Sequence, residues 1–276
     1  MEGSEVITRQ GRSMKRWLVA FAGIVGIGAA AYGYFKEPNT FTFTVDMPPG
    51  FKYKAAVYYV PAPGETCTVA RKDNLAPVFN YWWREDYKPD SVIEIRRIRK
   101  GCPLVVYNIR LEIFATYGKS RGDFSSTTAQ VVIKEGLDVI DIEEFNEAGE
   151  SVFFGQCAWS FQTYGKTRTL RKLLECKDVN IGRPATRGRP VAGYLPEQLP
   201  GKTIKMKIAV DKEEQPSTIN KWVRFSNGWK RCMGKGFEDP YAFCDKDNES
   251  FSDFILHDGT PCTIYPACKE YEGENE

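Results

Sequence analysis

The chain is 276 residues long and 27% charged, with 38 Lys and Arg against 36 Asp and Glu. A formal net charge of +2 argues against the broadly basic surface that a nucleic-acid backbone requires, while leaving room for a local basic patch, so no nucleic-acid partner is expected. Eight cysteines beside a single histidine, with no C-x-x-C pair, favour disulfides over a metal site, and no cofactor motif accompanies them.

Residues 17–35 (WLVAFAGIVGIGAAAYGYF) carry no charge and follow Met14-Lys15-Arg16. A spanning helix needs roughly 20 apolar residues, which this run supplies. A secretory signal fits equally, with Ala29-Ala30-Ala31 as the small-residue cleavage site and Met14 rather than Met1 as the initiator. Arg9, Arg12, Lys15 and Arg16 outweigh Glu2 and Glu5, which keeps the N-terminus cytoplasmic and sends the rest across the membrane. The expectation is export to the periplasm with cleavage near Ala31; an uncleaved segment would anchor the protein in the inner membrane. All eight cysteines follow this segment, and the 245 residues beyond position 31 hold 34 basic and 34 acidic side chains.

Asn39 to Met47 alternates strictly, placing Phe41, Phe43, Val45 and Met47 on one face of a half-buried strand. Ala55 to Val60 and Thr66 to Ala70 read as a strand and its return around Pro61-Ala62-Pro63-Gly64. Val92 to Ile98 alternates again, and Leu104 to Ala115 is the clearest strand. Its expected faces are Val105, Tyr107, Ile109, Leu111 and Ile113 against Asn108, Arg110 and Glu112. Ala129 to Lys134 and Val139 to Phe145 are shorter strands. Val152 to Tyr164 and Thr167 to Lys177 suggest a hairpin around Lys166-Thr167. Paired residues would then sum to 333, which sets Cys157 opposite Cys176 at disulfide distance. A helix carrying Leu170, Leu173 and Leu174 is the alternative there. Asp178 to Pro200, with four prolines, three glycines and the arginines 183, 187 and 189, reads as a linker. Thr203 to Val210 is a strand, and Asn227-Gly228 between Trp222–Phe225 and Trp229–Cys232 is a hairpin signal.

The spacing of Val45-Asp46 to Cys67 equals that of Val210-Asp211 to Cys232, and Gly101-Cys102-Pro103 resembles Gly259-Thr260-Pro261-Cys262. This suggests a duplicated β-unit on either side of the linker. The duplication makes Cys67–Cys102 and Cys232–Cys262 equivalent and leaves Cys244–Cys268 as a further bridge. The rival is the sequential set Cys232–Cys244 and Cys262–Cys268. The fold expected is all-β and mainly antiparallel. It consists of two tandem disulfide-bonded β-sandwich-like domains, 39–178 and 201–276, joined by a Pro/Gly-rich linker at 179–200 behind the 1–35 signal or anchor helix. An α+β fold is the alternative.

Catalytic parts are sparse. His257 is the lone histidine, with Ser252, Asp253 and Asp258 near it in sequence, and no nucleophile elbow occurs. Arg121-Gly122-Asp123 spells a cell-adhesion tripeptide. No enzyme is expected, and no catalytic or metal-binding residues are assigned. Recognition is the expectation instead. Tyr81, Trp82, Trp83, Arg84 and Tyr87 combine the residue types enriched at binding hot spots, with the linker arginines and Trp222, Asn227 and Trp229 as weaker candidates.

From Met14 onward, the export signal, the β-rich disulfide-bonded body and the sparse catalytic inventory resemble a periplasmic immunity protein that guards against type VI secretion phospholipase effectors. The resemblance implies a cognate secreted lipase as partner and a tight complex that blocks its active site with an inserted loop. Residues Phe79 to Tyr87 are the first choice for that loop. A structural component of a cell-envelope assembly, such as a pilus or secretion channel, is the second function class.

Overall fold

The computed structural model describes residues 38–70, 75–80, 90–137, 142–179, 188–239, 241–244 and 250–269, with backbone alone at 75–80 and 90. The apolar segment 17–35 and the aromatic stretch 81–87 lie outside the described residues. Among the described residues no helix is long and apolar enough to cross a membrane.

The first strands are β1 (Thr40–Asp46), β2 (Phe51–Pro61), β3 (Leu75–Asn80), β4 (Asp90–Glu94), β5 (Arg96–Arg99) and β6 (Cys102–Thr116). They are followed by β7 (Phe124–Ile133), β8 (Glu150–Tyr164), β9 (Thr169–Asp178), β10 (Val191–Tyr194) and β11 (Thr203–Val210). The short C-terminal strands are β12 (Gln215–Pro216), β13 (Trp222–Phe225), β14 (Gly228–Cys232), β15 (Phe251–Ser252), β16 (Phe254–Ile255), β17 (Pro261–Cys262) and β18 (Tyr265–Pro266). Two short 3-10 turns, Pro196–Gln198 and Ile219–Lys221, are the described helical elements.

The body is therefore all-β. An eight-stranded sheet runs β17-β16-β9-β8-β11-β1-β4 with β12 beside β8, and a six-stranded sheet runs β10-β7-β6-β2-β3 with β5 beside β6. Phe43, Phe153 and Met206 from the first sheet share one buried core with Val57, Leu111 and Val131 from the second, as in a sandwich. The strict alternation of β1 accounts for its part in this: Phe41, Phe43 and Val45 are buried, and the threonines between them are half-buried.

Several sequence expectations are corrected. The sheets are mixed rather than mainly antiparallel. Sequence neighbours such as β8 and β9 pair antiparallel, but β11 arrives from far along the chain. It lies parallel to both flanking strands, with Met206 opposite Val45 on one side and Phe153 on the other. That same strand removes the division into tandem domains, because 39–178 and 201–276 contribute to one sheet and one core, and Thr40–Glu276 forms a single compact unit. The linker is partly core as well. β10 pairs parallel with β7, and Ala192, Tyr194 and Leu199 are fully buried.

Val92 to Ile98 is not one strand. The chain bends at Ile95, so β4 pairs with β1 in one sheet while β5 pairs with β6 in the other. Residues 65–70 are irregular, and Cys67 is tied to Cys102 at the start of β6; the partner of β2 is β3 instead. Tyr107 turns outward at 37% exposure, away from Ile109, Leu111 and Ile113. The register slips by one residue there, Tyr58 facing Asn108 and Tyr59 facing Val106, and the bulge reverses the alternation. Of Val139 to Phe145, positions 139–141 lie outside the described residues, and Ile142 makes an isolated bridge to Gly193.

Cys157 lies opposite Cys176 and is bonded to it, in the 333 register. The C-terminal bridges are Cys232–Cys244 and Cys262–Cys268, the sequential set. The duplication and its Cys232–Cys262 and Cys244–Cys268 pairs are thereby set aside: Cys232 closes a local loop, whereas Cys67 reaches across to β6. Four disulfides place the folded body in an oxidising compartment.

Two buried tyrosines make the fold sensitive to alkali. The Tyr59 hydroxyl donates to the Glu94 carbonyl at 2.9 Å, and that of Tyr194 pairs with Ser151 Oγ at 2.9 Å. Burial pushes the Tyr59 phenol up to about 12, Arg97 opposing and Glu94 adding to the rise; burial likewise raises Tyr194. An unfolded tyrosine ionises near pH 10, so above that pH the unfolded chain releases protons the folded one retains. Stability from Tyr59 is thus complete below about pH 10 and is lost as pH rises through about 12. Urea midpoints measured across this window should fall, and Tyr59→Phe should flatten the fall. Equal slopes in the two proteins would refute the assignment.

Candidate functional site

The C-terminal quarter builds a second, smaller core on the far end of the β8–β9 hairpin, from Phe161, Leu170, Trp222, Phe254, Cys262 and Tyr265. Its sheet runs β13-β14-β15 with β18 beside β14. The β13–β14 turn is Ser226-Asn227 rather than Asn227-Gly228, since Phe225 pairs with Gly228. Gly228 stands inside the strand at φ +148°, where an added Cβ would lie 2.2 Å from the Tyr265 carbonyl oxygen. Only a bare Cα admits that approach.

From β14 the chain leaves at Cys232, runs through 233–244 and returns at Cys244, which is bonded back to Cys232. Two arginines hold this loop from beneath. Arg168 ends the β8–β9 turn in left-handed backbone, φ +50°, at 3% exposure. It donates to the carbonyls of Met233 (3.0 Å), Gly236 (2.9 Å), Phe237 (3.1 Å) and Cys232 (3.3 Å), and to Ser252 Oγ. Arg231, 2% exposed, donates to the carbonyls of Ala242 (2.8 Å), Cys232 (3.1 Å) and Lys221 (3.2 Å), and through Nε to Thr163 Oγ1 (2.9 Å). Burial lowers both guanidinium pKa values, that of Arg231 to about 10 with Arg168 as the next cause. Asp239 fastens the loop internally, accepting from the backbone N–H groups of Lys235 (3.1 Å) and Tyr241 (2.9 Å); Lys235 N–H first, then those of Ala242 and Tyr241, hold its carboxyl below the usual range.

What the loop presents is apolar. Phe237, Tyr241 and Phe243 are 47%, 64% and 46% exposed, and Ile219 on the adjoining 3-10 turn is 77% exposed. Tyr241 and Phe243 stack with centroids 6.1 Å apart, and Lys221 Nζ lies over both rings at 5.7 and 5.2 Å. Exposed aromatic side chains on a loop that is cross-linked and held by buried arginines have little freedom left to lose on contact.

At the other end of the β13–β14 hairpin is a pocket of about 480 Å³, lined by Lys172, Lys212, Glu213, Glu214, Arg224 and Trp229 among others. Glu214 is fully engaged: Oε1 lies 2.7 Å from Lys172 Nζ, and Oε2 accepts from the Tyr265 hydroxyl.

Comparison with protein-family models, curated proteins and solved structures found no match. The assignment therefore rests on this geometry.

Among the residues singled out from sequence, Tyr81, Trp82, Trp83, Arg84 and Tyr87 lie outside the described residues, as do Arg183 and Arg187. Arg189 is described and donates to Gln130 Oε1 at 2.6 Å. Trp222 is core, 4% exposed against Phe161 and Phe254, whereas Asn227 and Trp229 line the pocket. Ser252, Asp258 and His257 are not brought together as a triad. Ser252 bonds Arg168, Asp258 accepts from Thr260 N, and His257 packs edge-on to Tyr117. Asp123 is 8% exposed and accepts from Ser120 N at 2.8 Å, so Arg121-Gly122-Asp123 does not present its carboxylate. Nothing in the sequence around Arg168 or Arg231 marks a buried role, since an isolated arginine reads as surface.

Proposed function

We propose that this is an exported binding protein that neutralises a toxic effector, a secreted phospholipase, by tight protein–protein contact in the periplasm. The observation that carries the reading is the Cys232–Cys244 loop, locked by a disulfide and two buried arginines and exposing Phe237, Tyr241 and Phe243. Ordering a flexible contact side chain costs about 0.5–1.5 kcal/mol on association, and a loop fixed in advance avoids much of that cost. Aromatic side chains supply large contact area with few rotatable bonds, which suits a surface meant to occlude an active site. The lipase as partner, the periplasm as location and the 17–35 segment as a cleaved signal come from the sequence reading.

The test is co-purification of the full chain from the producing cells, with mass-spectrometric identification of what is bound. The expected result is a lipase in 1:1 complex, lost on Tyr241→Ala with Phe243→Ala at an unchanged melting temperature. If capture survives that variant but is lost in Trp82→Ala with Trp83→Ala, the contact belongs to the Phe79–Tyr87 loop. Recovery of envelope-assembly subunits in place of a lipase would replace the immunity reading with the structural one.

A further inference from the structure

The pocket beside Trp229 lies at the opposite end of the hairpin from the locked loop and is independent of the reading above. Its cations come from separate parts of the chain: Lys172 from β9, Lys212 from the segment after β11, and Arg224 from β13. Against these three stand two carboxylates, and one of them is already occupied. Glu214 is shared between Lys172 and the Tyr265 hydroxyl, and burial together with Glu214 raises the Tyr265 pKa, so that phenol stays neutral.

The remaining groups are mostly donors. Among the described residues, Arg224 and Lys212 have no carboxylate partner, and the Ser226 hydroxyl and Asn227 amide at the turn make no hydrogen bond. Lys172 spends one of its three N–H donors on Glu214. A cationic ligand is disfavoured because the protein's own cations already use the aromatic walls, with Arg224 5.0 Å from the Trp229 ring centre and Lys172 5.6 Å from that of Tyr265. The side chain 17% exposed on Lys172 places one cation at the pocket floor, where a charge–charge contact is less screened than at the rim.

We propose that this pocket binds a small anion, a phosphate or carboxylate group, through Arg224 and Lys212 at its rim and Lys172 at its floor. Guanidinium groups bind both oxyanions through paired N–H donors, so the geometry fits either. The Gly228–Tyr265 approach fixes the back wall, which keeps Trp229 and Tyr265 in place whether or not the site is filled.

The experiment is calorimetric titration of the full chain, in chloride buffer, with inorganic phosphate and with succinate separately, and with glucose as an uncharged control. Saturable 1:1 binding is expected for at least one anion and none for glucose. Binding of phosphate alone, or of succinate alone, identifies the chemistry. Arg224→Gln should weaken it roughly tenfold, the scale of one lost charge-assisted contact, and Lys212→Gln should weaken it independently. Both residues are exposed, so melting temperatures should stay at the wild-type value. The proposal is overturned if neither anion gives saturable heat, if glucose binds as well as the anions, or if the double variant binds like wild type. None of these outcomes bears on capture by Tyr241 and Phe243.

Discussion

Replacing Arg231 with alanine is expected to lower the unfolding free energy by about 3–5 kcal/mol, a large part of the 5–15 kcal/mol typical of a domain. Arg231 is 2% exposed, and its contacts are carbonyls and a hydroxyl rather than a carboxylate. Its removal strands the Ala242 and Lys221 carbonyls and deletes a large buried side chain at once. Each unsatisfied buried acceptor costs roughly 1–3 kcal/mol, and partial water entry keeps the total below the sum. Lysine should recover less than half, because one ammonium cannot reach four acceptors spread over β8, β14, the 3-10 turn and the loop. The loss should fall on the smaller core first. Hydrogen exchange at 219–244 should accelerate while β1, β8 and β11 stay protected. A loss under about 1 kcal/mol in urea unfolding would mean that solvent replaces the guanidinium without difficulty.

The parts of the fold that were legible share a property: their pairing is local. The β8–β9 register follows from a two-residue turn, and arithmetic then sets Cys157 opposite Cys176. Strict alternation likewise finds β1 and β11, since each buries one face. It does not reveal that they are neighbours, because β11 inserts between β1 and β8 from more than 150 residues beyond β1. Even within one strand, periodicity fails at a bulge. Tyr107 is the extra residue opposite Tyr58 and Tyr59, and neither its identity nor its neighbours signals the slip. β10 was hidden for another reason. Four residues including Gly193, set among prolines, resemble a linker until a parallel partner in β7 satisfies their backbone.

The site was less legible than the fold. Phe237, Tyr241 and Phe243 between two cysteines twelve residues apart was the available signal, and it was masked by a spacing coincidence that paired Cys232 with Cys262. Cys244 returns to Cys232 within twelve residues, before β15 begins, whereas β3, β4 and β5 separate Cys67 from Cys102 and pair with three different strands. Arg168 could not have been foreseen from its surroundings in sequence. Its role exists only because the tip of the main hairpin docks under a loop 64 to 69 residues away.

Opening the Cys232–Cys244 bridge by serine substitution at both positions is expected to separate folding from capture. The bridge closes a loop of 12 residues, for which the chain-entropy estimate is about 3 kcal/mol of stability. The sandwich should survive that loss, since its core draws on β1, β6, β8 and β11 and keeps Cys67–Cys102 and Cys157–Cys176. The loop retains its bonds to Arg168 and Arg231, but its return end loses the covalent tie and is held by two hydrogen bonds, Arg231 to the Ala242 carbonyl and Cys244 N to the Asn220 carbonyl, each 2.8 Å. Tyr241 and Phe243 sit next to that end, so they should become more mobile while Phe237, packed against the Arg168 guanidinium and bonded to it through its carbonyl, remains placed. Partner affinity should then drop by roughly tenfold or more, with most of the change in the dissociation rate. Hydrogen exchange should rise at 241–244 well above its rise at 233–237. Equal exchange at both ends would assign the rigidity of the loop to its arginines, and undiminished affinity would remove preorganisation from the account of binding.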